Sequence, residues 1–147
     1  MKDSHDTKSL MKNAPISGAF IDIQPNDKAN TLIITEGYAT GRSVSICAPF
    51  SRVVAAISAS NLKNVATAFR DRFPALDIVI AADNDYHAPS DVDANGRPKT
   101  NTGLIAANEA AKAVNGLVVA PLCLGRNKQD WDDVRMELGG GTDGGGI

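Results

Sequence analysis

The chain has 147 residues, enough for one compact domain, and its 43% apolar and 22% charged content is that of an ordinary folding sequence. A formal net charge of −2 argues against a freestanding high-affinity DNA binder, which needs clustered Lys and Arg against phosphates. Any nucleic-acid substrate is therefore expected to be gripped by other domains or chains.

Residues Met1 to Asn13 are polar and turn-rich, and residues 1–16 are expected to be flexible. SGAFIDI, from Ser17 to Ile23, alternates and is β-branched, as a short strand does, either in an edge hairpin or at the tail of a preceding domain. Gln24 to Asn30 contains Pro25 and Asn26 and reads as a loop. TLIIT, from Thr31, is a buried run followed by Glu36-Gly37, and TGRSVSICA then opens on Thr40 as a helix-capping residue. VVAAIS, from Val53, is a second buried run. Leu62 to Phe73 places Leu62, Val65, Ala66 and Phe69 on one helical face, with Asn61 or Ser60 as N-cap and Pro74 as the stop.

DIVIAA, from Asp77, is a third buried run. After a long polar loop, GLIAANEAAKAV, from Gly103, is a helix that stops near Asn115-Gly116, and LVVAP, from Leu117, is a fourth run. Four short apolar strands alternating with helices predict an α/β fold: βαβ units around a parallel sheet of about four strands, covered on both faces. The folded domain is expected over 17–139. The glycine-rich tail, 140–147, is too poor in side chains to order.

Cys47 and Cys123 have no CxxC partner and sit in apolar surroundings, so free, buried thiols in a reducing compartment are expected. No apolar run approaches the roughly 18 residues of a membrane span, and the N-terminus has no signal core. A cytoplasmic location without membrane contact is the expectation.

Ligands of open α/β sheets bind beyond the C-terminal strand ends, and the residues there are acidic. Glu36 follows the first run, Asp83 and Asp85 the third, and Asp130, Asp132 and Asp133 the fourth. Asp83 and Asp85, two residues apart where a strand runs out, can leave on one side and converge on a cation. Magnesium suits them, because it takes one or two protein carboxylates and fills its shell with water and phosphate. The competing structural readings are turn formation by Asp83 and Asp85, and capping of a short VRMEL helix by Asp132 or Asp133.

Asp91, Asp93, Asn95 and Gly96 spell the opening of a calcium loop. The twelfth position is Thr102 rather than a bidentate Glu, so an exposed, mobile loop turning at Asn95-Gly96 is expected instead. Neither Ser43 nor Ser45 stands in a nucleophile-elbow context, and EGYATG is neither a P-loop nor a dinucleotide fingerprint. His87 reads as a solvated loop histidine, and Trp131 and Tyr38 as core or rim residues.

The order LIITEGYATG, AISASNL, IVIAADND, NTGLIAANEAA and DWDDVRMELG resembles the Toprim domain of plasmid- and phage-type DNA primases, over about Ser17 to Gly139. The resemblance implies a compact Rossmann-like fold and magnesium, with manganese able to substitute, in nucleotidyl transfer during primer synthesis. It gives Glu36 general acid/base work and makes Asp83 and Asp85 metal ligands, with Asp130 and Asp132 completing a second metal position. Gly37, Arg42, Asn101 and Gly103 fall where substrate phosphate is bound. The implied partners are single-stranded DNA template, nucleotides, and other domains or subunits of a primase or helicase. A nuclease of the same family would use the same carboxylates with water as nucleophile, and a non-catalytic module would recruit DNA or replication proteins. The segment from Tyr86 to Thr100 is longer than the family pattern.

Overall fold

The computed structural model describes residues 17–84, 87–88, 90–121 and 131–136. In chain order the elements are β1 (Ile21–Gln24), β2 (Thr31–Thr35), α1 (Tyr38–Cys47), β3 (Arg52–Ala55), a 3-10 turn (Ala59–Asn61), α2 (Leu62–Arg72), β4 (Asp77–Ala81), α3 (Thr102–Val114) and β5 (Leu117–Val119). Residues 131–136 form a further helical segment, α4.

The strands make one sheet in the order β1-β3-β2-β4-β5. The four expected strands pair in parallel, with Thr35 opposite Ala55 on one side and Ala81 on the other. The sheet is one strand larger than the four expected. SGAFIDI supplies β1, an antiparallel edge in which Ile21 faces Ala55. A strand that enters from the chain's N-terminal side can add there without a crossover helix.

Alternation along the strands sorts their side chains onto two faces. Leu32, Ile34, Val54, Ile78 and Ile80 point to the face covered by α2 and α3, where they meet Leu62, Val65, Phe69, Ala107 and Val114. Ile33, Val53 and Ala81 point to the other face and meet Val44 of α1, with Trp131 packed against them. Leu32, Ile34 and Ile80 are fully buried, each worth about 1.5–3 kcal/mol.

Several local expectations are corrected. Thr40 is not a cap: α1 begins at Tyr38 with Gly37 as N-cap, which places Thr40 inside the first turn. Asn61 does occupy the N-cap of α2 but makes no capping bond. Its buried side chain accepts from Gly18 N and donates to Ala19 O and Ala56 O, each at 2.8 Å, tying the entering chain to the end of β3. Cys47 is free but exposed, on the outer side of α1 rather than in its apolar stripe; Cys123 lies outside the described residues.

The described part of the long loop carries its own backbone bonds. Asp93 N–H donates to Arg97 O at 2.8 Å and Lys99 N–H to Asp91 O at 3.0 Å, a small hairpin that turns through Gly96 at φ 77°. Asp132 and Asp133 lie within α4 rather than before it. No helix among the described residues is long and apolar enough to cross a membrane.

Candidate metal centre

The strand order sets the place. From β2 the chain leaves through α1 on one face, while from the adjacent β4 it returns through α3 on the other. Loops that part in this way open a crevice above the two strand ends, the usual ligand position in open α/β sheets. Glu36 is the first residue past β2 and Asp83 the second past β4.

The N-terminus of α3 closes the same space. A methyl built on Gly103 would stand 3.9 Å from Glu36 Oε2 and 3.7 Å from the carbonyl oxygen of Asp83. The Glu36 carboxylate and the main chain at Asp83 thus both border Gly103, beside the first amides of a helix, whose dipole favours anions.

Three side-chain bonds fix this end of the sheet. Asn101 accepts from Leu104 N at 3.2 Å, capping α3, and donates to Asn84 Oδ1 at 2.8 Å. Asn84 in turn donates to Pro121 O at 2.8 Å, joining the segment after β4 to the end of β5. Asn101 therefore holds the helix terminus in place, while the free face of that terminus is at Gly103. Asn84 was not singled out by sequence reasoning, because an amide between two aspartates looks like any turn residue.

On the opposite wall, α1 contributes hydroxyls. Thr40 donates to Asp83 Oδ2 at 3.0 Å, and the Oδ1 atom of Asp83 is buried. One turn further, Ser43 donates to Asp132 Oδ1 at 3.0 Å. Arg135 grips that same oxygen through Nε at 3.0 Å and Nη2 at 2.9 Å. The Arg135 guanidinium, and after it the Ser43 hydroxyl, hold the Asp132 carboxyl below the ordinary carboxylate value. Trp131 anchors α4 by donating to Ala82 O at 3.0 Å.

Glu36, Asp83 and Asp132 are the three described members of the expected five carboxylates; Asp85 and Asp130 lie outside the described residues. Among the described residues no three His, Cys, Asp or Glu come close enough together to hold a metal ion. Glu36 and Asp83 nonetheless carry hard carboxylate oxygens just past two adjacent strand ends. Carboxylate oxygen is the donor type that magnesium prefers.

Gly37 accepts the Thr35 hydroxyl at 2.9 Å and sets the turn into α1. Arg42 is exposed on α1. His87 lies 3.5 Å from Asp91 in the loop.

A sheet whose parallel strands end in carboxylates at a switch point defines an α/β carboxylate-site domain, and the family comparison makes that specific. The model described as Toprim domain matches residues 31–141, and the chain belongs to that family. It is 34% identical over 119 residues to a DNA primase TraC of Escherichia coli, covering 79% of this chain and 8% of that protein. To a second Escherichia coli DNA primase TraC it is 36% identical over 119 residues, covering 79% of this chain and 11% of that one. The chain thus corresponds to about a tenth of the length of these relatives. No solved structure matches it significantly.

Proposed function

We propose that this Toprim domain carries the metal-dependent nucleotidyl-transfer site of a DNA primase. The observation that supports the reading is that the Glu36 carboxylate and the main chain at Asp83, just past two adjacent parallel strands, both border Gly103 at the start of α3. The similarity to TraC primases supports the choice of primer synthesis within the family.

In this reading Glu36, Asp83 and Asp85 hold one divalent cation, magnesium or manganese, and Asp130 and Asp132 help hold a second. Bound metal would supply activation of a 3′ hydroxyl and neutralisation of charge on the transferred phosphate. Glu36 takes and returns the proton of that hydroxyl. The amides at the start of α3 face the phosphate, Gly103 leaves them accessible, and Gly37 and Arg42 border the substrate on the α1 side. Thr40 donates to Asp83 Oδ2 at 3.0 Å, which restrains the carboxylate before charge develops.

Template and nucleotides are positioned by surfaces outside this chain, as a region matching about a tenth of a primase would require. Positioning is worth about 7–11 kcal/mol of barrier, so the chain alone is expected to synthesise little primer. The test is oligonucleotide synthesis on single-stranded template with magnesium or manganese, by the chain alone and joined to the flanking parts of a TraC-type primase. Synthesis that appears with those parts and is abolished by Glu36→Gln and by Asp85→Asn supports the proposal. Glu36-dependent degradation of a labelled strand in place of synthesis would move the assignment to a nuclease. Synthesis that survives loss of all the carboxylates would end both readings.

A further inference from the structure

We propose that Thr40 and Ser43 are positioning residues, a pair of hydroxyls on α1 that set the carboxylates of the two acidic motifs at a fixed separation. The proposal rests on the metal-site reading and adds to it two residues to which the resemblance assigns no role.

The observation begins with what hydroxyls on helices ordinarily do. Inside a helix, Ser and Thr bond back to a carbonyl three or four residues earlier. Thr67 does so on α2, donating to Lys63 O at 2.7 Å, and Ser45 does so on α1, donating to Arg42 O at 2.7 Å. Thr40 and Ser43 take another course. Thr40 reaches Asp83, 43 residues away in sequence, and Ser43 reaches Asp132, 89 residues away, each at 3.0 Å. Ser43 is buried, so its hydroxyl needs a partner, and the partner it has is a carboxylate of the second motif.

Positions i and i+3 on a helix present side chains about 5–6 Å apart on one face. Hydroxyls at that interval give the Asp83 and Asp132 carboxylates neighbouring anchor points on α1, and the ions of a two-metal site lie about 3.5–4 Å apart. Each hydroxyl donates to one oxygen of its carboxylate, Asp83 Oδ2 or the Asp132 Oδ1 that Arg135 also grips, and so restrains the rotation of that carboxylate. Hydrogen-bond partners of metal ligands are worth about 10–100-fold in metal affinity.

The helix itself is held tightly enough to act as a ruler. A Cβ on Gly41, between the two hydroxyl residues, would run into Ile23 Cδ1 and come within 2.9 Å of Thr35 Oγ1, so α1 lies directly against β1 and β2.

The experiment is manganese binding to the whole chain by titration calorimetry, with metal-free melting curves recorded beside it. Thr40→Val keeps the shape of the side chain and removes the hydroxyl, and it is expected to weaken manganese binding 10–100-fold at the Asp83 site. Thr40→Ser restores the donor and is expected to bind within about threefold of the parent. Ser43→Ala is expected to weaken a second binding event and leave the first unchanged. Thr40→Ala takes the place of the valine variant if that variant fails to fold.

Outcomes separate the inference from the reading it rests on. If Thr40→Val and Thr40→Ala bind manganese like the parent while Asp83→Asn does not, the positioning role is wrong and the metal site stands. If Asp83→Asn also binds like the parent, the metal-site reading fails and takes this inference with it. An equal loss in Thr40→Ser and Thr40→Val would show that packing rather than the hydroxyl matters, and would overturn the proposal.

Discussion

The indole N–H of Trp131 donates to the carbonyl oxygen of Ala82 at 3.0 Å, which fastens the helix carrying Asp132 to the residue just before Asp83. Ala82 is buried, and the Trp131 ring lies against the cluster formed by Ile33, Val44, Val53 and Ala81. The late acidic motif is therefore held to the early one by a side chain that is not among the proposed metal ligands.

Trp131→Phe tests that fastening. The ring remains to cover the apolar cluster, but the Ala82 carbonyl loses its donor, at a cost of about 1–3 kcal/mol for a buried group. The melting midpoint should fall accordingly. Manganese titration should show the first binding event close to that of the parent and a weakened second one.

Gly103→Ala should separate stability from function. Glycine inside a helix is about 0.8–1.0 kcal/mol less favourable than alanine, and the added methyl meets no atom closer than 3.7 Å. Metal-free stability should rise. The same methyl stands against Glu36 and Asp83, where metal and phosphate are proposed to bind, so the magnesium-induced rise in melting temperature should shrink. A variant with both higher stability and a full metal shift would argue that nothing binds at the start of α3.

Gly41→Ala should act in the opposite sense. Its Cβ would overlap Ile23 Cδ1 and crowd Thr35 Oγ1, both on strands beneath α1, so the helix must lift. Overpacking of this kind costs about 1–3 kcal/mol. Because Thr40 and Ser43 flank the substitution, their bonds to Asp83 and Asp132 should loosen with it. The checks are a lower denaturation midpoint and shifted carboxyl resonances of Asp83 and Asp132.

The parallel strands were legible because each is a short apolar run bounded by turn residues, and TLIIT, VVA, DIVIA and LVV became β2 to β5. Pro74 and Asn115 likewise mark the ends of α2 and α3, Asn115 by entering the left-handed region at φ 54°. The pairing of β1 with β3 was not legible, since alternation marks a strand but not its partner. That Glu36 and Asp83 follow neighbouring strands could be expected from the usual strand order, and β2 does pair with β4. The bonds of Thr40 and Ser43 could not, because a hydroxyl's partner is chosen by tertiary contact, and in the sequence both look like ordinary helix residues. Thr40 was read as a cap for the same reason: it is a capping residue type one turn from the true start at Gly37.

The hairpin in the β4–α3 connection should respond to acid before the rest of the fold. Asp93 Oδ1 accepts from the backbone N–H of Asn95 at 2.8 Å and of Arg97 at 3.0 Å. The Arg97 amide first, and the Asn95 amide after it, hold the Asp93 carboxyl below its ordinary value of 3.8. A depressed carboxyl pKa means that these bonds contribute in full above the ordinary value and are lost as the pH falls through the lower, folded value. The amides of Asn95 and Arg97 should therefore shift and exchange faster as the pH drops below 3.8, while those of α3 keep their protection. Asp93→Asn keeps an acceptor oxygen and removes the titration, so its hairpin amides should lose the acid response; Asp93→Ala should open the turn at every pH. A carboxylate engaged by two backbone amides is also poorly placed to ligate calcium, although Asp91, Asp93 and Asn95 have the spacing for it. Calcium at millimolar concentration should leave the resonances of residues 91–97 unmoved, and a saturable calcium shift there, lost in Asp93→Ala, would restore the calcium-loop reading.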